Sequence, residues 1–128
     1  DTVFKGSRYQ TITAGFVISG VSLLAIYFFG HFLMDMDGGV FFMAAMLFLA
    51  GGCIQGVQAP LFNLPGDILG TRLGGTGVGI VNGWSYIGAS FAGITLGFVM
   101  DSFGLTSCIM LMALISLAGA GIILFVKR

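Results

Sequence analysis

Charge is what this sequence has least of: ten ionisable Asp, Glu, Lys and Arg side chains in 128 residues, five of each sign. A water-soluble domain carries about 25% charged residues because its surface must stay hydrated. At 8% charged and 57% hydrophobic, with a mean hydropathy of +1.06, this chain cannot cover a water-facing surface. A soluble globular domain is excluded. The balance of charge is zero, so nothing offers a polyanion the cationic face it needs, and nucleic acid is not an expected partner.

Groups for catalysis are equally scarce. His31 is the only histidine, so no second imidazole can serve as a base beside a serine, and no GxSG nucleophile motif occurs. His31 and Asp35 share an i, i+4 spacing, but two ligands do not make a metal site. Asp35 and Asp37 belong to a polar turn and do not form a buried carboxylate pair. The chain does not read as an enzyme, and no cofactor or metal is expected. The only cysteines, Cys53 and Cys108, fall in or beside apolar runs and read as small packing residues. The first apolar run is too long for a signal peptide and lacks its cleavage motif. The opening on Asp1 and the close on Lys127-Arg128 read as the limits of an excised piece.

What is present is long stretches without charge. They hold 26 residues between Arg8 and Asp35, 29 between Asp37 and Asp67, 28 between Arg72 and Asp101, and 25 between Asp101 and Lys127. A helix needs about 20 residues to cross the hydrocarbon core. The runs do not alternate as barrel strands would. The pattern predicts an all-α, polytopic membrane protein with helices near 9–33, 39–63, 74–99 and 105–126. The lipid bilayer is its first partner.

An even number of spans leaves both termini on one side. Lys5, Arg8, Arg72, Lys127 and Arg128 fall on that side, whereas the opposite turns near 34–38 and 101–104 hold only Asp35, Asp37 and Asp101. Cytoplasmic loops carry the excess of Lys and Arg. The expectation is a multi-pass protein of a cell membrane, bacterial inner membrane by preference, with both ends and the 64–73 loop cytoplasmic.

Polar content differs between segments. The second carries Gln55, Gln58 and Asn63, and the third carries Asn82, Ser85, Tyr86 and Ser90. Segments one and four hold mainly hydroxyls, including Ser19, Ser22 and Ser116, which helices can satisfy internally. Amides facing lipid are costly and turn to a partner helix or a cavity. This predicts segments two and three as an interior pair, with one and four as the outer wall. At 1.5 Å per residue, Gln58 lies about 14 Å and Gln55 about 18 Å from Asp67, while Asn82 lies about 15 Å and Tyr86 about 21 Å from Arg72. All four are therefore near the midplane. Asn82, Tyr86 and Ser90 form an i, i+4, i+8 stripe. Interhelical hydrogen bonding and the wall of a solute cavity both explain such a stripe.

Glycine, at 22 residues, is patterned. Gly75, Gly79 and Gly83 recur every fourth residue, and Ser85, Ala89, Gly93 and Gly97 continue the spacing along a neighbouring face, as Gly52 and Gly56 do in the second segment. Small residues so spaced let helices approach closely in lipid. The run Gly74-Gly75-Thr76-Gly77-Val78-Gly79 completes neither a phosphate-loop nor a dinucleotide fingerprint. Pro60 and Pro65 each remove a backbone donor near the end of segment two; they read as a kinked helix end or as a gating bend, with Asn63 placed to satisfy a freed carbonyl.

Gly75-Thr76-x-x-Gly79, continuing through Tyr86-Ile87-Gly88-Ala89-Ser90 to Gly97, Asp101 and Gly104, resembles the eleventh helix of the major facilitator superfamily. Within it, the organophosphate:inorganic-phosphate antiporter group is most similar. The opening Asp1-x-x-Phe4-x-Gly6-x-Arg8 is similar to the loop before that group's ninth helix. The resemblance implies that the four segments are helices nine to twelve of a six-helix C-terminal half, with the earlier helices as missing partners. It also implies tenth and eleventh helices at the central cavity. After Pro65 the chain runs Gly66-Asp67-Ile68-Leu69-Gly70-Thr71-Arg72, with one basic residue where family members often have a pair. The family's phosphate-binding residues lie on helices outside this chain. The expected function is that of a C-terminal part of a secondary transporter moving a small organic solute, such as an organic phosphate anion, by alternating access. A small four-helix scaffold, assembly factor or channel subunit is the alternative.

Overall fold

The computed structural model describes residues 8–126. The Asp1, Phe4, Lys5 and Gly6 positions of the opening motif and the closing Lys127-Arg128 pair lie outside the described residues. Every described residue is helical except the turn at 35–38 and Gly104. Helix α1 spans Arg8–Met34 and α4 spans Leu105–Val126. Between them an unbroken helical run, Gly39–Phe103, is interrupted in its dihedral angles only at Gly70. It comprises two spans, α2 (Gly39–Gly70) and α3 (Arg72–Phe103). All four helices are long and apolar enough to cross a membrane, and the chain is a membrane-embedded, multi-pass helical protein. Large side chains such as Phe41, Phe48 and Phe125 stand almost fully exposed, an arrangement stable in lipid and not in water.

The loop expected at 64–73 is not a loop. Pro60 and Pro65 lie inside α2, and the helix continues past both to Gly70. Two features make so sharp a reversal possible. Gly70 adopts φ 73° and ψ 176°, a positive-φ extended conformation open in practice to glycine alone. Beyond it the two backbones touch, because a Cβ on Gly74 would sit 3.1 Å from the Gly66 Cα, and one on Gly77 would sit 2.8 Å from the Pro65 Cβ. Gly104, between α3 and α4, repeats the conformation of Gly70 at φ 83° and ψ 170°. The α1–α2 turn differs: Gly38 is left-handed helical at φ 87° and ψ −1°, and the Gly39 amide donates to the Met36 carbonyl at 3.0 Å.

The expected interior pair is also corrected. The most deeply packed helix is α1, with a third of its most apolar window buried, whereas the corresponding window of α3 has none. Small residues on α1 explain this. Gly15 lies against Val57 and the Cys53 carbonyl of α2, and Gly20 lies against Leu117 of α4, where a Cβ would come within 2.7 Å. Gly119 of α4 receives the ring of Phe16. Ser19, Ser22 and Ser116, read from sequence as outer-wall residues, are buried. The core cluster joins Leu23 of α1, Ala50 of α2 and Ala113 of α4, with no member from α3. These contacts run antiparallel along α1 and α4, so Arg8, the Gly70 reversal and Val126 share one end of the bundle. Asp35, Asp37 and Asp101 share the other.

Candidate functional site

The four midplane candidates sit on the helices whose polar faces the bundle leaves uncovered. On α2, Ala50 and Val57 are buried toward α1. At 100° per residue, Gln55 lies about 140° round from Ala50 and Gln58 about 100° round from Val57. Both glutamines accordingly point away from α1 and are exposed. On α3, Asn82 is exposed, and Tyr86 is 70% exposed.

The reversal at Gly70 aligns these residues in depth. Gly66 opposes Gly74 and Pro65 opposes Gly77. Continued along the two helices, that register sets Gln58 level with Asn82 and Gln55 level with Tyr86. Each helix of 32 residues is about 48 Å long, against a hydrocarbon core of about 30 Å. Gln55 and Tyr86 then fall at the centre of their helices, with Gln58 and Asn82 within about 9 Å of it on the side of the reversal. The fold brings the four to two adjacent depths, but among the described residues no side-chain hydrogen bond joins any of them to a partner.

The stripe on α3 divides on inspection. Ser85 donates to the Val81 carbonyl at 2.8 Å and Ser90 to the Tyr86 carbonyl at 3.0 Å, so both hydroxyls are satisfied within their own helix. Thr95 does the same with the Phe91 carbonyl at 2.9 Å. Asn82 and Tyr86 have no such local outlet. Together with the indole N–H of Trp84, 69% exposed between them, they are mid-span polar groups of α3 with no hydrogen-bond partner among the described residues. Asn63 of α2 is likewise exposed, with no side-chain bond to a freed carbonyl among the described residues.

The glycines divide too. Beside Gly75, Gly79, Gly83, Gly93 and Gly97 a Cβ would meet nothing within 4 Å, and Gly52 and Gly56 are equally open. Within this chain close approach is made by Gly15, Gly20, Gly74, Gly77 and Gly119. Sequence reasoning passed over the α1–α4 seam, although its signal was present as Gly15-x-x-x-Ser19 and Ser116-x-x-x-Ala120. Cys53 and Cys108 are free thiols, and Cys108 donates to the Leu96 carbonyl at 3.2 Å, tying α4 to α3. Among the described residues no three His, Cys, Asp or Glu side chains gather as metal ligands.

Comparison with protein-family models, with curated proteins and with solved structures finds no match to this chain.

Proposed function

We propose that this chain is the C-terminal part of a secondary transporter of the major facilitator type, and that the exposed polar faces of α2 and α3 border its solute path. The observation carrying this reading is the unpartnered pair Asn82 and Tyr86, level with Gln58 and Gln55 in the middle of two membrane spans. Leaving an amide or a hydroxyl unpaired at hydrocarbon depth costs several kcal/mol. Four such groups at matched depth are stable when they face further helices, a water-filled cavity or a solute. The open Gly75–Gly79–Gly83 and Gly93–Gly97 faces support the same reading, since they offer close-approach surfaces to helices beyond the four described.

In this reading the Gly70 end faces the cytoplasm with its share of Lys and Arg. The solute is small and polar, an organic phosphate anion by the resemblance, and alternating access moves it past the amides. The reading frame upstream of Asp1 tests the proposal at once. Eight further hydrophobic segments are expected there; a start codon immediately before Asp1 would favour the four-helix scaffold instead. The 128-residue chain alone should show no saturable uptake in vesicles.

A further inference from the structure

His31 is the one histidine of the chain, and the solute path makes no use of it. It stands exposed on the last turn of α1, and among the described residues no hydrogen bond engages its ring. Beside it a cavity of about 150 Å³ opens between α1, α2 and α4, and its wall includes His31, Met34 and Met43 with Gly30 among them. Helix geometry brings these donors to one place. At 100° per residue, Met34 lies about 60° round α1 from His31 and about 4.5 Å further along it. Met43 reaches across from α2: its Sδ lies 4.0 Å from the point where a Cβ on Gly30 would stand, at the residue before His31. None of Gln55, Gln58, Asn82 and Tyr86 lines this cavity.

Size and donor type select the occupant. Small-molecule sites run upward from about 300 Å³, roughly twice this space, whereas a metal ion needs little beyond its ligands. The donors are an imidazole and two thioethers, uncharged and soft. Thioether sulfur selects copper(I), and imidazole also suits copper. Calcium and magnesium take oxygen ligands, and zinc takes thiolate, imidazole or carboxylate. The position allows entry from water, because all three donors lie within about 6 Å of their helix ends and Met34 is 68% exposed. Asp35, Asp37 and Asp101 are exposed at the same end of the bundle and draw cations toward it. The negative C-terminal end of α1 at Met34 offsets the positive N-terminal end of α4 at Leu105. We propose that His31, Met34 and Met43 bind one copper(I) ion at the acidic end of the bundle, in a site separate from the solute path.

The test titrates copper(I), kept reduced by ascorbate in the absence of oxygen, into the protein in detergent micelles against the chelator ferrozine. Cys53 and Cys108 are first replaced by alanine, since thiolates compete for the same ion. One copper(I) per chain should be retained, with sulfur and nitrogen neighbours in its X-ray absorption spectrum, and excess zinc(II) should not displace it. Met34→Leu, Met43→Leu and His31→Leu should each weaken binding by at least about tenfold, the smaller of the losses that even supporting residues of metal sites cause. Methionine to leucine conserves volume and removes only the sulfur, so helix content should be unchanged. Met112→Leu, which removes a thioether of α4 outside this cavity, should leave the affinity as it was. Loss of all copper(I) to ferrozine, displacement by zinc(II), or parental affinity in the three site variants overturns the site. So does a loss with Met112→Leu as large as that with Met34→Leu.

Discussion

The Ser116 hydroxyl of α4 donates to the backbone carbonyl oxygen of Phe16 in α1, 2.9 Å away and 100 residues earlier in the chain. This bond crosses between the first and last helices, and Gly20 against Leu117 and Gly119 against Phe16 extend the same seam on either side. The bundle is therefore closed by α1 and α4, with α2 packed on α1 and α3 attached mainly through its two ends. Ser116→Ala should weaken the seam by about 0.6 kcal/mol, the usual size of an interhelical hydrogen bond in membranes. Unfolding in mixed micelles measures this, and no change at all would mean that the bond has no net value.

Glycine substitutions should separate the packed face of α1 from the open faces. A Cβ at Gly15 collides with Val57 and lies 3.1 Å from the Cys53 carbonyl, and one at Gly20 lies 2.7 Å from Leu117. Gly15→Val and Gly20→Val should each destabilise the chain by about 1–3 kcal/mol through overpacking. Gly56→Ala and Gly93→Ala, with open space around them, should be neutral or stabilising by about 0.5–1 kcal/mol, since alanine is the better helix residue. The same unfolding assay compares all four. Equal losses at both pairs would contradict the packing described.

The three turns use glycine in two different ways, and asparagine should tell them apart. Gly38 is left-handed helical, a conformation asparagine enters readily, so Gly38→Asn should be nearly silent. Gly70 and Gly104 combine positive φ with extended ψ, where any side chain is strained by about 1–3 kcal/mol. Gly70→Asn and Gly104→Asn should be destabilising to that extent. Tolerance at all three positions would show that the reversals relax into other turn geometries.

Much of this architecture was legible in the residues. The gaps between charges mark four spans: the limits at 9, 33, 39, 74, 105 and 126 lie within two residues of the helix ends, whereas 63 and 99 fall short of Gly70 and Phe103. The reversal at Gly70 was less visible. Pro60 and Pro65 carry a helix-ending signal, yet a proline kink at a membrane helix end can be absorbed, and glycine alone permits the combination of positive φ and extended ψ that turns the chain five residues later. Polar content is a poor guide to burial among these four helices, because the amides of α2 and α3 are exposed while the hydroxyls Ser19, Ser22 and Ser116 are buried. Contact in lipid is led by small residues, so Gly15, Ser19, Gly20 and Ser116 outrank the amides in deciding which helix is packed by its neighbours. Amide positions report where a partner is needed, and among the described residues Asn82 has no hydrogen-bond partner.

Orientation rests on the distribution of Lys and Arg and is open to direct measurement. With Cys53 and Cys108 replaced by alanine, a single cysteine at Ser102 should react with an impermeant maleimide from outside the cell. A single cysteine at Thr71 should react only after the membrane is opened. The reverse pattern would invert the assigned topology.

The transport reading meets its most direct test at Asn82. In the complete transporter, Asn82→Leu should insert and express normally, since it removes an amide from hydrocarbon depth. Uptake of glycerol 3-phosphate, or of whichever organic phosphate the parental protein carries, should fall by about one to two decades in apparent affinity. That is the effect of losing one hydrogen bond worth about 1–3 kcal/mol between the path and its polar solute. Normal expression with uptake at the parental rate and affinity would contradict the account and leave Asn82 as a contact between helices.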